Sequence, residues 1–149
     1  MNIGIANDHR GYELKQKLTN YLKKQGYNII NFGADSLESS DYPDYAFKLC
    51  EALIKGEIIY GIAICGNGIG ISIACNKVKG IRCAKVNNEK EAKMCRLHNN
   101  ANVIAIGSDL NILEVKDIID IFLTTNFTEE DRHIRRIKKI SDYEAKHEC

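Results

Sequence analysis

The chain has 149 residues, 44% hydrophobic and 28% charged, a profile that fits one soluble domain whose core needs no disulfide staples. Basic residues number 21 and acidic residues 20, so the net charge of +1 gives no global field to hold nucleic acid or an anionic membrane, and any anion recognition has to be local. No apolar run approaches bilayer length and Met1 leads straight into a strand-like run rather than a signal peptide, so the expectation is a cytoplasmic protein with no nucleic-acid or membrane partner.

A first strand is predicted over residues 2–6, ending in Asn7-Asp8-His9-Arg10. Leu14, Leu18, Tyr21 and Leu22 then recur at i, i+4, i+7 and i+8, the stripe of an amphipathic helix. A second strand over 28–32 leads into Gly33-Ala34-Asp35. Asp41-Tyr42-Pro43-Asp44 opens the next helix, with proline at a first-turn position and an apolar stripe of Ala46, Leu49, Cys50 and Leu53. The third strand, 60–64, runs into Cys65-Gly66-Asn67-Gly68-Ile69-Gly70, where a third helix begins. After a strand over 81–86, Asn88 with Glu91 three residues on predicts a capping box for a helix that ends at His98-Asn99-Asn100. The fifth strand, 102–106, precedes Gly107-Ser108-Asp109 and a helix marked by Val115, Ile118, Ile119 and Phe122. Thr128 and Asp131 are candidate caps for a terminal helix whose Ile134, Ile137 and Ile140 cover the domain or a neighbouring subunit.

Strand and helix thus alternate five times and one helix is added. The prediction is a single-domain α/β fold over residues 1–149, a doubly wound, Rossmann-like sheet of about five parallel strands with an extra C-terminal helix. Ligands of such sheets sit beyond the carboxyl ends of the strands. The six cysteines, Cys50, Cys65, Cys75, Cys83, Cys95 and Cys149, contain no C-x-x-C pair, which argues for free thiols in a reducing compartment over a zinc ribbon or a thioredoxin-like motif.

The loop after the third strand carries the strongest chemical signal. Its three alternating glycines let the backbone approach a ligand and turn N–H groups toward it, a nest for negative charge. The same field favours the thiolate of Cys65, and a thiolate beside an anion-stabilising nest is an apparatus for making an enediolate. The competing reading is a tight βα turn with an inert buried cysteine. A dinucleotide fingerprint needs G-x-G-x-x-G, a C-x5-R phosphatase needs arginine at position 71, and a P-loop needs Lys-Ser/Thr there; the chain has G-x-G-x-G and Ile71-Ser72.

Asp8-His9-Arg10 groups an acceptor, an imidazole and a guanidinium at the ligand edge of the sheet, suited to hydroxyls and a phosphate; Asp8 reads equally as a helix N-cap. His98 could be a general acid–base or an ordinary basic residue at a helix C-terminus. Arg132 and Arg136, at i and i+4, could grip a phosphate or form a solvated basic face. Tyr42, Asp44 and Ser72 are weaker candidates.

Together, Asp8 through Lys15, Asp41-Tyr42-Pro43, Cys65 through Ser72, Asn76-Lys77, Gly80-Ile81-Arg82, His98-Asn99-Asn100 and Arg132 through Arg136 resemble the ribose-5-phosphate isomerase B family, in the wider group that includes galactose-6-phosphate isomerase subunits. The resemblance implies a metal-free, cofactor-free aldose–ketose isomerase acting on ribose 5-phosphate. It implies Cys65 as the base between C2 and C1, and Gly66, Asn67, Gly68, Ile69 and Gly70 as the cradle of the enediolate oxygen. By the same resemblance His98 opens the furanose ring, Asp8 and Asn99 hold hydroxyls, and His9, Arg132 and Arg136 bind the phosphate. It further implies a homodimer or homotetramer with a shared active site, in which His98 acts across the interface. Two positions depart from the family pattern. Asn67 stands where a hydroxyl usually relays a proton, a role that then passes to Ser72 or to water. Asp109 replaces a phosphate-binding arginine and is expected to point away or to meet a different ligand, with Arg10 compensating. The alternatives are a six-carbon substrate, allose or galactose 6-phosphate, a non-catalytic sugar-phosphate-binding module, and a redox-sensing thiol protein.

Overall fold

Five short apolar segments pair in parallel to form one sheet: β1 (Asn2–Asn7), β2 (Asn28–Asn31), β3 (Tyr60–Cys65), β4 (Cys83–Lys85) and β5 (Val103–Gly107). The structure is a computed structural model and describes residues 1–147; Cys149, read above as a free thiol, lies outside the described residues. The spatial order is β2-β1-β3-β5-β4. From β1 the chain winds out to β2 and then returns to the other side of β1 as β3. The winding direction therefore reverses between β1 and β3, which makes the crevice above their carboxyl ends the ligand position of a doubly wound sheet.

The strands alternate large and small apolar residues, and that alternation sets the two faces. Ile3, Ile5, Ile62, Ile64, Ile104 and Ile106 point to one face, where α1 (Tyr12–Lys24), α4 (Glu89–Asn99) and α5 (Ile112–Thr124) bury Leu14, Leu18, Leu22, Ala92, Ile118 and Phe122 against them. Ala6, Ala63 and Ala105 lie on the other face with Cys65, under α2 (Tyr42–Ile54) and α3 (Ile69–Cys75). Gly4 and Gly61 are partners in register on that face. A β-carbon at Gly4 would lie 2.5 Å from Leu49 Cδ1, and one at Gly61 3.1 Å from Leu49 Cδ2, so the absent side chains are what let α2 sit close to the sheet.

Predicted and observed elements correspond closely, with three corrections at their ends. β4 is shorter than the predicted 81–86 because Asn102 Oδ1 accepts from Arg82 N at 2.8 Å while Ile81 turns into the core. The capping box at α4 is displaced. Asn88 accepts from Glu91 N at 2.9 Å, but Glu91 Oε2 accepts from Asn87 N; a reciprocal box forms instead at Asn111 and Glu114, opening α5. Thr128 does not cap α6 (Asp131–Lys146). Its hydroxyl and its N–H both donate to Leu97 O, at 2.9 and 3.3 Å, tying the α5–α6 connection to the end of α4. Glu130 is the N-cap residue and makes no side-chain capping bond, and Asp131 occupies the first turn.

α6 departs from the expected apolar stripe. Ile134 and Ile140 are about half exposed, while His133 is buried, and the inward face runs through His133, Ile137 and Glu144. No described helix is long and apolar enough to cross a membrane.

Candidate active site

The ends of β1, β3 and β5 and the start of α2 enclose a cleft of about 510 Å³ at the point where the winding reverses. Asp8, Arg10, Tyr42, Cys65, Asn67 and Asp109 line it, together with Gly66, Ile69 and Gly70. The three strand ends are laced together by backbone bonds. Asp8 N donates to Ile64 O at 3.3 Å, and Ser108 N donates to Cys65 O at 2.9 Å and Gly66 O at 3.2 Å. Cys65 is 4% exposed, and what remains of its surface opens into the cleft.

The glycines of the loop each make room for a specific neighbour. Gly68 has φ +77°, and a β-carbon there would come within 2.8 Å of Ile106 C, so the position is closed to other residues by conformation and by space. A β-carbon at Gly66 would crowd the Arg10 side chain at 3.2 Å, and one at Gly70 would strike the Tyr42 ring at 2.6 Å. Two of the three glycines therefore admit side chains that themselves line the cleft. The N–H groups of Gly66, Asn67, Gly68 and Gly70 donate to no acceptor of the described chain. Asn67 turns its Oδ1 back to accept from Ile69 N at 3.0 Å, which fixes the loop and leaves its amide nitrogen outward.

Asp8 uses Oδ1 to accept from Arg10 N and Gly11 N, at 3.0 and 3.2 Å, capping a short 3-10 turn over His9–Gly11. The capping role and a place in the cleft thus coexist in one carboxylate. His9 is half-buried beside the cleft residues in sequence but is not among those lining it. Its Nδ1 lies 3.2 Å from Ser40 N and 3.3 Å from Ser40 O, which ties the ring to the β2–α2 connection. Ser72 donates its hydroxyl to Ile69 O at 2.7 Å and does not line the cleft. Asp109 does not turn away: it lines the cleft alongside Arg10, and no described cation lies within 4.0 Å of it.

The remaining predicted residues lie elsewhere in the same chain. α4 runs back from the carboxyl end of β4 to the amino end of β5, so His98 and Asn99 stand about 16 Å, the length of β5, from the cleft. Arg132 and Arg136 are on α6 beside them. The His98-Asn99-Asn100 run is held by two arginines. Arg82 Nε donates to Asn99 O at 3.1 Å and Asn100 O at 3.0 Å, and Arg96 donates to Asn100 Oδ1 at 2.8 Å and Ala101 O at 2.6 Å. Arg96 is 4% exposed and stacks its guanidinium on Tyr60, so it is structural. Burial lowers the pKa of Arg82, with Glu144 opposing.

Two features escaped the sequence reading. His133 is 5% exposed on α6, and its ring stacks on His98 with centroids 4.4 Å apart and planes 14° apart. Its spacing with Ile137, Ile140 and Glu144, at i, i+4, i+7 and i+11, was the available signal. The second is Lys15, buried under the β2–α2 connection, whose Nζ donates to Ala34 O at 2.5 Å and to Asp35 Oδ1 at 2.7 Å. That contact, with Asn31 second, holds the pKa of Asp35 below its ordinary value. Asn7 Nδ2 donates to the same Ala34 O at 3.1 Å, so Gly33-Ala34-Asp35 is a strut behind the cleft.

The ribose/galactose isomerase family profile matches residues 3–140. The chain is 37% identical over 151 residues to a ribose-5-phosphate isomerase B from Mycobacterium tuberculosis, covering all of this chain and 93% of the relative. It superposes on a ribose-5-phosphate isomerase B from Clostridium thermocellum with a TM-score of 0.95 at 47% identity, covering 98% of this chain and 99% of the other. The Mycoplasma genitalium ribose-5-phosphate isomerase B, solved with bound ribulose 5-phosphate, gives 0.93 at 41% identity over 98% of this chain and 97% of that one.

Proposed function

The chain belongs to the ribose/galactose isomerase family, and from that premise we propose that this aldose–ketose sugar-phosphate isomerase interconverts ribose 5-phosphate and ribulose 5-phosphate through an enediolate, with Cys65 as the base. The observation that carries the assignment is the place of Cys65 among the residues lining the cleft where the winding reverses, beside loop N–H groups that no described protein acceptor uses.

In this scheme the Cys65 thiolate takes the proton from C2 of the open-chain aldose, and the electron pair of the C–H bond moves toward C1 as its carbonyl becomes an enediolate oxygen. The thiol then returns the proton to C1 while the proton on O2 passes to O1 through water, leaving the ketone at C2 and a hydroxyl at C1. Negative charge gathers on oxygen, where amide donors already in place meet it without reorganising; one such donor is worth about 3–4 kcal/mol. Asp8 and Tyr42 line the cleft where the sugar hydroxyls lie, and the backbone from Gly66 to Gly70 forms its floor.

Ring opening and, His9 apart, phosphate binding fall to residues that lie at the opposite end of the sheet from the cleft of their own chain. We assign His98 as the acid–base that opens the furanose, Asn99 as a hydroxyl ligand, and Arg132 and Arg136, with His9, as the phosphate site. The separation by the length of β5 supports a reading in which His98, Asn99, Arg132 and Arg136 act on the cleft of a second copy, beside that copy's His9, in a homodimer with two shared sites. Exposed apolar residues support this, with Ile69 and Ile73 on α3 beside the cleft and Ile134 and Ile140 on α6.

One observation favours a second reading. Asp109 brings an uncompensated carboxylate to the cleft, which suits an extra hydroxyl better than a phosphate and so favours a six-carbon aldose 6-phosphate. A panel of ribose, allose and galactose phosphates, assayed with the wild type and Cys65→Ala, decides between them. Turnover of ribose 5-phosphate, lost in Cys65→Ala, is the expected result. Unchanged turnover in the variant would remove Cys65 from the chemistry, and preference for a six-carbon sugar would replace the substrate. Binding without turnover in the wild type would leave a non-catalytic module.

A further inference from the structure

His98 has no hydrogen-bond partner among the described residues at either ring nitrogen. What fixes its ring is a face. The imidazole of His133 lies against it nearly parallel, at 14° and 4.4 Å. His98 is half-buried and sits at the end of α4, whereas His133 is 5% exposed and rooted in α6, so His133 is the fixed member of the pair. Its Nε2 is buried and bonds to nothing in the chain. A buried polar atom left unpaired is a cost that packing alone gives no reason to accept.

We propose that His133 is a positioning residue for His98: its ring face sets the orientation of the catalytic imidazole and leaves both edge nitrogens of that imidazole free to exchange a proton with the sugar ring oxygen and its hydroxyl. This rests on the assignment of His98 as the ring-opening acid–base. Stacking suits the task because a hydrogen bond to one nitrogen would fix the tautomer and occupy an atom that the reaction needs. A neutral aromatic face also favours the imidazolium that His98 becomes when it carries the proton. His133 must then stay neutral, since two stacked imidazoliums repel. The groups around it act in that direction. Burial lowers its pKa below the ordinary 6.5, as do His98 on α4 and Arg132 and Arg136 on α6, with Glu130 alone opposing.

The test compares His133→Leu, which removes the aromatic face, with His133→Phe, which keeps the face and removes both nitrogens. Two quantities are read in the intact enzyme: steady-state turnover of ribose 5-phosphate, and the NMR titration of the His98 ring, assigned by its disappearance in His98→Asn. His133→Leu should lower kcat about tenfold with KM changed less than about twofold, as expected when a general acid–base is present but misplaced, and should move the His98 titration to lower pH. His133→Phe should keep kcat within about threefold of wild type and leave that titration nearly in place. An unmoved His98 titration in His133→Leu overturns the proposal, as does a loss in His133→Phe equal to that in His133→Leu. The underlying assignment fails separately: if His98→Asn turns over the aldose at the wild-type rate, His98 is not the acid–base, whatever the His133 variants do to its titration.

Discussion

The cleft at the carboxyl end of the sheet and the His98 cluster at the amino end are built in opposite ways. The cleft is made of backbone: a loop closed by Gly68 against β5, amides without internal partners, and a cysteine almost fully enclosed. The other cluster is made of long side chains on a helix whose described residues, His133 apart, are largely exposed. One region presents fixed backbone donors; the other presents charged and polar side chains, with Arg132 and Arg136 exposed and His98 held against the His133 ring.

The sharpest way to break this contrast is through activity. Cys65→Ala should lower kcat by about 10³-fold or more with KM and fold retained, because a general base is lost and nothing else is. If each site draws Cys65 from one chain and His98 from the other, mixing inactive Cys65→Ala with impaired His98→Asn subunits should restore about a quarter of wild-type activity, since half of random dimers are mixed and each holds one intact site. No recovery after subunit exchange, with mixed dimers detected by mass spectrometry, would place both residues in one chain's site.

A smaller effect should separate the halves by stability. Gly68→Ala forces a side chain into left-handed backbone and against Ile106, and should cost about 2 kcal/mol in urea unfolding. Arg132→Ala and Arg136→Ala should leave unfolding within about 0.5 kcal/mol of wild type, because both are exposed, and should each raise KM about tenfold. The ion pair of Lys15 with Asp35 is the smallest case. The pKa of Asp35 is depressed in the folded protein, so its contribution is present above the ordinary carboxylate value of 3.8 and is lost as pH falls below it. With the Asp35 side chain 71% exposed, solvent screening limits this to about 0.5 kcal/mol, read as the difference in acid unfolding between wild type and Asp35→Asn.

The sheet and the cleft were largely legible in the sequence. Apolar runs bounded by glycine and asparagine located all five strands, and the rule that ligands sit at strand ends led to Asp8, Cys65 and the glycine loop. What periodicity could not show was the purpose of individual glycines: Gly66 and Gly70 yield to Arg10 and Tyr42, neighbours that only the tertiary fold brings near. The α6 end was harder. The isoleucine spacing on α6 suggested a stripe through Ile134, whereas docking on α4 selected the row through His133, a residue that composition alone assigns to a basic surface. Likewise Thr128 looks like a cap and instead bonds to the last turn of another helix.

The unequal thickness of the sheet's two faces has a further consequence. The helix that presents Tyr42 and the helix that follows the Cys65 loop both rest on the thin side, with Leu49 settled over paired glycines. Enlarging Gly4, Gly61 or Ala63 by one or two carbons would act like a shim beneath those helices, lifting one wall of the cleft relative to its floor. Residues with no access to substrate can therefore adjust the width of the opening, and drift at such hidden sites offers a route by which the size of the accepted sugar could change while every lining residue stays the same.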